Sequence, residues 1–567
     1  MADRLLALSL LLWIAVAIVA MFGRWAALGR ALLTAGALSG IAAALIELPG
    51  ATNLVVLPIR LAGEPVAFRM QPEALWLLGF GLAPAVFACA LGSPSRHAGG
   101  GWNFGAALSL LGALGVCGLQ NGAALLVAWE AMSLGGAVMI LSVGLESSRG
   151  ATILFMLALL EVGAVALLLA VAILGLGSPS LDFAGFTSAS AALTPPMQIG
   201  VGVLILIGFG AKLGLLPFYE WFPGAYGSGS GASGVILSGA VLNAAFFALS
   251  RGLIEWLPPA PEGAIPLLAI IVVAVGTVSA ILTILYAFQE DDWRQLLSFS
   301  SAENASVAVA ALGAAMLFRS YGLLDLAGLA WTVALLHLGG HALAKGSLFL
   351  TADGLRRATG TYAILASGAG SYWLFGVGAL LGAMSLAAMP PTAGFVSEWF
   401  VFQTVFQGFH LPNIAGRLVL ALAGAGLALT AAVAFATFVK VLGIGVLGRD
   451  VGRPAPISRS YSWTVGFLGL LVLALGAGMP VWLGALDIAT AGHFGAPVAS
   501  LMHDGPLLVP LTAKFAFISP SLLIVVMPLL SLLPLLLVLG GRRRPIRRTP
   551  VGMADCPPTP REPRRRR

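Results

Sequence analysis

The composition of the chain excludes a water-soluble globular protein. It has 567 residues, of which 59% are hydrophobic and only 9% are charged, whereas a soluble domain carries about 25% charged residues. The formal net charge is +7, but residues 541–567 hold ten Arg against two acids, so the rest of the chain is close to neutral. The basic balance therefore describes a Pro/Arg-rich tail that is predicted to be disordered, and it does not indicate a nucleic-acid partner.

The sequence also gives no sign of cofactor chemistry within this chain. The three cysteines, Cys89, Cys117 and Cys556, show no CxxC or Cys/His spacing, which argues against a disulfide framework or a metal site. No glycine-rich phosphate-binding motif follows a strand-like segment. We therefore expect neither a cofactor nor a metal in this chain.

Apolar runs long enough to cross a bilayer recur along the whole length, and they predict an all-α polytopic membrane protein. The N-terminal run is interpreted as the first span and not as a signal peptide, because no clean cleavage site follows it. Segment 51–72 alternates apolar and polar residues, which predicts a short surface hairpin. About fifteen spans are predicted, at 5–22, 31–48, 73–92, 104–119, 121–143, 150–175, 197–217, 232–254, 264–288, 302–318, 323–350, 371–390, 397–447, 462–484 and 516–540.

Arginine placement orients these spans, because cytoplasmic loops carry an excess of basic residues. Arg24, Arg149, Arg294 and the cluster at 542–544 fall on one side of the predicted membrane. This indicates an N-terminus outside, a cytoplasmic C-terminus and a location in a bacterial-type inner (cell) membrane. The long region 397–447 is predicted to hold the second half of a broken helix and one further helix.

Two predicted spans contain internal helix breakers. Lys212 is followed by a Gly and then by Pro217, and Glu398 is preceded by Pro390 and Pro391. Proline removes a backbone donor and interrupts a helix, which is tolerated at membrane depth only beside protein or water. Paired broken helices in two halves of a chain are typical of transporters built from repeats.

Lysine is the most informative residue type in this sequence. The chain has twenty-six Arg but only four Lys, and three of these, Lys212, Lys345 and Lys440, lie within predicted spans. Arg stays protonated, whereas a buried Lys can lose its proton near neutral pH. Charges inside the bilayer are costly and usually functional, so this distribution indicates proton handling. The alternative is a gene that avoids Lys codons and retains three of them by accident.

Three acidic residues lie in or beside apolar spans and need partners there. Glu130 and Lys212 have opposite charge on different spans, so an ion pair between them is the simplest prediction, with a static pair that fixes helix register as the alternative. Glu161 is interpreted either as a relay group or as a structural partner. Glu398 follows the second break.

A third group of titratable residues is spaced by four and four. His337, His341 and Lys345 would lie on one face of a helix, about 6 Å apart per step. That spacing allows proton transfer through single waters. Zinc binding by the two histidines is the alternative, but no third ligand is evident.

These motifs together resemble the antiporter-like subunits of respiratory complex I, of Mrp sodium/proton antiporters and of membrane-bound hydrogenase and formate hydrogenlyase complexes. The form around Glu398 looks most like the hydrogenase component B type. The matching stretches run in the family's order over roughly residues 70–450, at 129–133, 212–223, 289–304, 337–345, 390–399 and 438–443.

The resemblance implies fourteen core helices with two inverted five-helix repeats, each with a broken helix. Glu130 would then pair with Lys212, the His337–Lys345 face would connect the halves, and Glu398 would be the terminal group. The implied domains are N-terminal helices with the outer hairpin (1–103), a first repeat (104–254), a second repeat (264–447), C-terminal helices (462–540) and the cytoplasmic tail (541–567).

Three positions depart from the family pattern. Asn243 stands where the family usually has a lysine or histidine, and an Asn cannot take up a proton in this pH range. Tyr219 and Tyr226 stand where the family has histidines, and segment 227–234 is Gly/Ser-rich. The first half-channel is therefore predicted to be weakened, water-filled or rerouted through Glu161.

The function expected from the resemblance is proton translocation in a redox-driven complex, NADH-quinone oxidoreductase-like or hydrogenase-like. Electron transfer would take place in partner membrane and peripheral subunits, since such subunits hold no redox centre. Two alternatives stay open: a Na⁺/H⁺ exchanging subunit of a multisubunit antiporter, and a diverged scaffold that no longer conducts. Whether the chain belongs to an enzyme depends on those partners.

Overall fold

A computed structural model describes residues 1–20, 22, 25–48, 50–94, 99–143, 147–258, 264–448 and 456–494, with single residues and short runs between 503 and 536. The predicted span 516–540 is described only in part. The Arg-rich tail at 541–567 lies outside the described residues.

The chain begins with two antiparallel helices and a β-hairpin. The hairpin was predicted for segment 51–72, and its two strands pair antiparallel. Ala62 and Gly63 form its turn with φ of 52° and 84°, the left-handed geometry of a tight two-residue hairpin turn. These elements are α1 (Ala2–Ala20), α2 (Ala26–Glu47), β1 (Val55–Leu61), β2 (Glu64–Phe68) and α3 (Pro72–Leu91).

Helices of the first half follow, and the first predicted break is present. α8 begins with Pro195 at its first helical position, where proline's missing N–H costs nothing. It ends at Gly214 in the left-handed conformation, a common helix terminator. A single turn at 218–220 leads into the next short helix. The elements are α4 (Gly99–Gly118), α5 (Gly122–Leu141), α6 (Ser147–Leu176), α7 (Phe183–Ala191), α8 (Pro195–Leu213) and α9 (Trp221–Ser228).

The centre of the bundle is formed by three helical rods. α10 and α11 are joined by a π-helical turn at Leu237–Val241 into one continuous helix. Over their membrane-crossing stretches this rod, α13 and α14 are completely buried by the surrounding helices, whereas α17 is mostly exposed. The elements are α10 (Gly231–Ile236), α11 (Leu242–Ile254), α12 (Ala264–Gln289), α13 (Trp293–Ser320) and α14 (Leu324–Thr359).

The second break lies between α15 and α16, as predicted. Pro390 and Pro391 occupy it, and α16 starts after Thr392 in an extended conformation. The region 397–447 holds the end of this broken helix and a further helix, which confirms the sequence-based prediction. The elements are α15 (Trp373–Leu386), α16 (Ala393–Phe406), α17 (Ile414–Lys440), α18 (Arg459–Ala477), α19 (Met479–Phe494), β3 (His503–Asp504) and β4 (Leu507–Leu508).

Within the described residues, thirteen helices are long and apolar enough to cross a membrane. The all-α polytopic prediction is thus confirmed. Two predicted spans were too short: 302–318 is part of α13, which starts at Trp293, and 323–350 is part of α14, which continues to Thr359. Their polar ends read as loops in the sequence but are helical and largely buried within the bundle. Asp292 caps α13 by accepting a hydrogen bond from the Arg294 amide at 2.8 Å.

Candidate functional site

The lysine of the first broken helix is buried and held by α5. Lys212 is 3% exposed and lies in the last turn of α8. Its Nζ donates to the Trp129 carbonyl at 3.2 Å and to Ser133 Oγ at 2.5 Å, and it lies 4.4 Å from the centroid of the Trp129 ring. A backbone carbonyl, a hydroxyl and an aromatic face therefore solvate this ammonium group.

The predicted ion pair between Glu130 and Lys212 is not a direct contact. The two groups interact electrostatically, but Lys212 uses its hydrogen bonds on the α5 backbone and Ser133. One carboxylate oxygen of Glu130 is buried without a hydrogen-bond partner. Glu161 is the second carboxyl whose charge reaches both groups. The first site is therefore one lysine facing two nearby acids, and the direct pair is a wrong prediction.

Glu161 lies on the outer face of the bundle. It is exposed on α6, whose outward side also carries Leu154, Val165 and Leu168. A carboxyl in the middle of an apolar helix face requires a polar partner from outside this chain or from Glu130. The geometry thus connects the first site with the periphery.

Asn243 lies at the centre of the bundle, directly after the π-helical turn. It is fully buried, and its Nδ2 donates to the Leu77 carbonyl of α3 at 2.8 Å. Its Oδ1 has no hydrogen-bond partner. The tertiary structure therefore gives Asn243 a structural bond in the central rod, at the position where the family was expected to have a titratable group.

The three titratable residues of α14 are all buried on one uninterrupted helix. His337 Nδ1 lies 3.1 Å from Ser397 Oγ, next to Glu398 on α16. Lys345 Nζ donates to the Leu297 carbonyl of α13 at 3.0 Å. Neither ring nitrogen of His341 has a hydrogen-bond partner. The line therefore meets the second broken helix at one end and α13 at the other.

Glu303 on α13 is a member of this cluster that the sequence-based site omitted. It is 2% exposed, accepts a hydrogen bond from Asn304 and interacts electrostatically with Lys345 and Glu398. It escaped notice because the span was predicted to start at 302, which put Glu303 at the surface. The true start at Trp293 carries Glu303 about 15 Å along the helix.

A small cavity joins Glu303 to Glu398, which is half-buried. It offers about 10 Å³ to the centre of a water molecule, and Thr430 of α17 contributes to its wall. This is close to the space that one water needs. Glu303 is thus the group that bridges Lys345 to the second broken helix.

Lys440 does not belong to the buried line. It lies in the last turn of α17, and its Nζ donates to the carbonyls of Phe288 at 2.8 Å and Glu290 at 2.7 Å. Asp291, which is highly exposed, lies 3.5 Å away. The helix continues past Lys440 as a π-helical turn at Val441–Val446, and the ammonium group binds the carbonyls where α12 ends and the loop to α13 begins. A proton-transfer role for Lys440 stays a prediction, apart from the buried line.

Tyr219 and Tyr226 are packing residues in this structure. The Tyr219 ring stacks on Tyr286 with centroids 5.6 Å apart. The Tyr226 ring stacks on Phe222 at 5.5 Å and on Phe349 at 5.7 Å. Both side chains are buried among aromatic rings, so they fill the space beside the first break.

One further polar group lies at the hairpin face of the bundle. His493 Nε2 is 2.7 Å from Glu73 Oε1, and Glu255 completes a set of three side chains whose ligand atoms lie within 4.8 Å of one another. Arg251 lies 3.4 Å from Glu255, and its positive charge disfavours a cation there. The sequence-based reading, which found no metal-ligand spacing, did not include this group.

Comparison with known proteins identifies relatives of this arrangement. A family model for the transmembrane region of NADH:quinone oxidoreductase and Mrp antiporters matches residues 120–422. Hydrogenase-4 component B of Escherichia coli is 31% identical over 441 residues, which cover 76% of this chain and 64% of that protein. Formate hydrogenlyase subunit 3 of Escherichia coli is 29% identical over 263 residues, covering 46% and 42%. This chain therefore matches less than two thirds of the length of either relative.

Solved structures share the fold. A chain of the membrane-bound sulfane sulfur reductase, an archaeal respiratory membrane complex, superposes with a TM-score of 0.75 at 20% identity, covering 96% of this chain and 87% of that one. A chain of respiratory complex I from Thermus thermophilus gives 0.68 at 22% identity, covering 87% and 100%. With a family match over more than half of its length, this chain belongs to the family of membrane-embedded NADH:quinone oxidoreductase and Mrp antiporter subunits.

Proposed function

We propose that this chain is a proton-translocating membrane subunit of a redox-driven complex, NADH-quinone oxidoreductase-like or membrane-bound hydrogenase-like. The observation that carries the proposal is the series formed by the buried Lys345 and Glu303 and the half-buried Glu398, which His337 reaches through Ser397. Charges inside a bilayer are costly and mark ion pathways. Titratable groups arranged in sequence can hand a proton along, whereas a fixed structural charge cannot.

Lysine chemistry favours protons as the transported ion. A neutral lysine amine can accept a proton and release it, and both forms are stabilised here by carbonyl and hydroxyl groups such as those around Lys212. Sodium needs several oxygen ligands. Lys345 instead places an N–H donor in the buried line, on the Leu297 carbonyl, which disfavours sodium there. A Na⁺/H⁺ exchanging subunit is the second candidate, and its support is that the family also includes Mrp antiporters.

Partners are part of the proposal, because we expect the redox chemistry to lie outside this chain. We expect electron transfer to take place in other membrane and peripheral subunits, as the names of the hydrogenase and quinone oxidoreductase relatives suggest for those proteins. The exposed carboxyl of Glu161, among exposed apolar residues of α6, is a contact point for a neighbouring membrane subunit that would supply a hydrogen-bond donor.

The orientation proposed from arginine placement is an outside N-terminus and a cytoplasmic C-terminus in a bacterial-type cell membrane. In this orientation the hairpin β1–β2 lies outside. The start of α13, which carries Arg294, and the end of α14, which carries Arg356 and Arg357, face the cytoplasm. Cysteine labelling from either side of intact cells, at the hairpin and at the end of α14, tests this assignment.

The test of the function is a matched pair of lysine variants in the reconstituted complex. Lys212→Arg keeps the charge but cannot give up its proton, so we expect coupled proton uptake into proteoliposomes, followed with a pH dye, to be abolished. Lys440→Arg at the loop cap is the control, with wild-type uptake expected. Lys212→Ala should abolish proton uptake as well, which would show that the loss in Lys212→Arg does not come from the larger size of the arginine side chain.

The outcomes separate the candidate functions. Undiminished proton uptake in both Lys212 variants would contradict the relay. A signal that requires Na⁺ in the medium would favour the exchanger. Normal electron transfer and normal assembly without any proton uptake by the wild-type complex would leave the scaffold as the function of this chain.

A further inference from the structure

Asp353 continues the titratable face of α14 beyond Lys345. It lies eight residues further along, which is two steps of the spacing that joins His337, His341 and Lys345. The side chain is fully buried. The sequence-based span ended at 350, so Asp353 was assigned to a loop, whereas α14 continues to Thr359.

Both carboxylate oxygens of Asp353 hold the start of the central rod α10–α11. Oδ1 accepts from the Gly231 amide at 2.7 Å and Oδ2 from the Ala232 amide at 2.8 Å. The Tyr362 hydroxyl donates to Oδ1 at 2.7 Å. A carboxylate at the first amides of a helix forms charge-assisted hydrogen bonds, which are about twice as strong as neutral ones.

Two glycines of the Gly/Ser-rich segment 227–234 allow this contact. A Cβ at Gly231 would lie 2.2 Å from the Phe349 carbonyl oxygen and 2.7 Å from the Asp353 carboxylate. A Cβ at Gly234 would lie 2.5 Å from the Phe349 ring. Only glycine allows the start of α10 to approach α14 so closely, which explains Gly231 and Gly234 in a segment that departs from the family pattern.

The charged and titratable groups around Asp353 come from four elements. Arg294 of α13 lies over the Tyr362 ring at 3.8 Å and donates to the Gly229 carbonyl at 2.7 Å. Arg357, at the exposed end of α14, lies 5.2 Å from the ring centroid of Tyr461 on α18. Tyr362, in the loop after α14, is half-buried. Its hydroxyl thus links the buried Asp353 carboxylate to the face of the bundle opposite the hairpin.

We propose that Asp353 is a proton-uptake site on the face opposite the hairpin, and that its protonation releases the start of α10 from α14. This inference rests on the proposed function, since it supplies the Lys345 line with protons. The proton passes from water to the carboxylate and forms the carboxylic acid. Lys345 lies about 12 Å further along the helix, so the acid then gives its proton to a water chain admitted between the two groups, and that chain protonates the neutral Lys345 amine. The transfer regenerates the carboxylate and leaves an ammonium group.

Phe349 separates protonation of Asp353 from proton transfer to Lys345, so that the two steps occur in turn. It lies on the same face of α14, midway between Lys345 and Asp353, and is fully buried against Gly231 and Gly234. While the carboxylate holds α10, this ring separates the two groups. A protonated Asp353 has no charge and one acceptor fewer for the helix amides, so α10 loosens, and the ring gains room to move aside.

Hydrogen exchange in the assembled complex tests the release without measuring transport. We expect exchange of the Gly231 and Ala232 amides, corrected for the chemical rate, to rise at least about tenfold from alkaline to acidic pH, because hydrogen bonds to a charged group are lost. In Asp353→Asn the exchange should be fast at every pH. The Ala124 amide, which is capped by the uncharged Asn121 at 2.8 Å, is an internal control that should show no change.

Proton uptake by reconstituted variants tests the uptake role. We expect Asp353→Asn to lower the rate at least about tenfold, Asp353→Glu to restore part of it, and Tyr362→Phe to lower it less. Asp325→Asn, at the exposed opposite end of α14, is the matched control with a wild-type rate.

Two results would overturn the inference. One is that the Gly231 and Ala232 amides of the wild type are equally protected from hydrogen exchange at every pH. This measurement uses the wild-type protein alone, so it does not depend on whether a variant folds. The other is a wild-type uptake rate in Asp353→Asn while Lys212→Arg has none, which would refute Asp353 and leave the proposed function intact. Failure of the proposed function itself would show as unaltered uptake in the Lys212 variants.

Discussion

The two halves of the bundle treat their buried lysines differently. Lys212 lies at the end of a broken helix and is solvated by Ser133 and a carbonyl, with its acids towards the exposed side of α6. Lys345 lies in the middle of a fully buried helix, with Glu303 facing it from α13. An acid on a central helix cannot leave its lysine without a large desolvation cost, whereas acids near the periphery can exchange with a partner. The proposed proton line of the second half therefore lies within this chain, whereas that of the first half depends on what covers α6.

The largest effect on this difference between the two halves is expected for Glu303→Gln. We expect coupled proton uptake to fall at least about tenfold, because the amide cannot carry a proton between Lys345 and Glu398. Electron transfer in the partner subunits should continue. Proton uptake in proteoliposomes, measured beside electron transfer in the same preparation, checks this, with Glu64→Gln in the hairpin as control. Equal uptake in both variants would show that Glu303 is only a structural counter-charge.

Asn243→Ala sharpens the difference between a structural and a conducting polar residue. The Leu77 carbonyl would lose its partner, so we expect a loss of about 1–3 kcal/mol of stability and a lower thermal unfolding midpoint of the solubilised complex. Proton uptake per assembled complex should change by less than about twofold, because an Asn side chain takes no part in proton transfer at this pH. A large loss of uptake at normal stability would instead indicate that Asn243 orders a transfer path.

The smallest effect is expected for Lys440→Met. The hydrogen bonds to the Phe288 and Glu290 carbonyls are lost, and the ion pair with the exposed Asp291 contributes less than about 1 kcal/mol. We expect a slight decrease in the thermal unfolding midpoint and an unchanged proton uptake rate. Abolished uptake in a normally assembled complex would return Lys440 to the conducting groups.

Several elements of the fold could be predicted from sequence because they rest on local rules. The hairpin followed from alternation, and both broken helices followed from the Gly and Pro residues at 214–217 and 390–391. The placement of His337, His341 and Lys345 on one face of α14 followed from their spacing alone. Helix ends were less predictable, since the polar first turns of α13 and the polar last turns of α14 resemble loops when the shielding bundle is unknown. Glu303 and Asp353 were missed for this one reason.

The sequence by itself determined that this is a multi-pass membrane protein, where its helices break, and that Lys212 and Lys345 lie inside membrane-spanning helices. Composition, breakers and helical period suffice for that, because they act within a segment. Only the tertiary structure decided which acid faces which lysine. It showed that Lys212 bonds Trp129 and Ser133 and not Glu130 directly. It also placed Glu303 near Lys345, Asp353 at the start of α10, and Lys440 outside the buried line. Such pairings depend on the packing of helices distant in sequence, which no periodicity within one helix encodes.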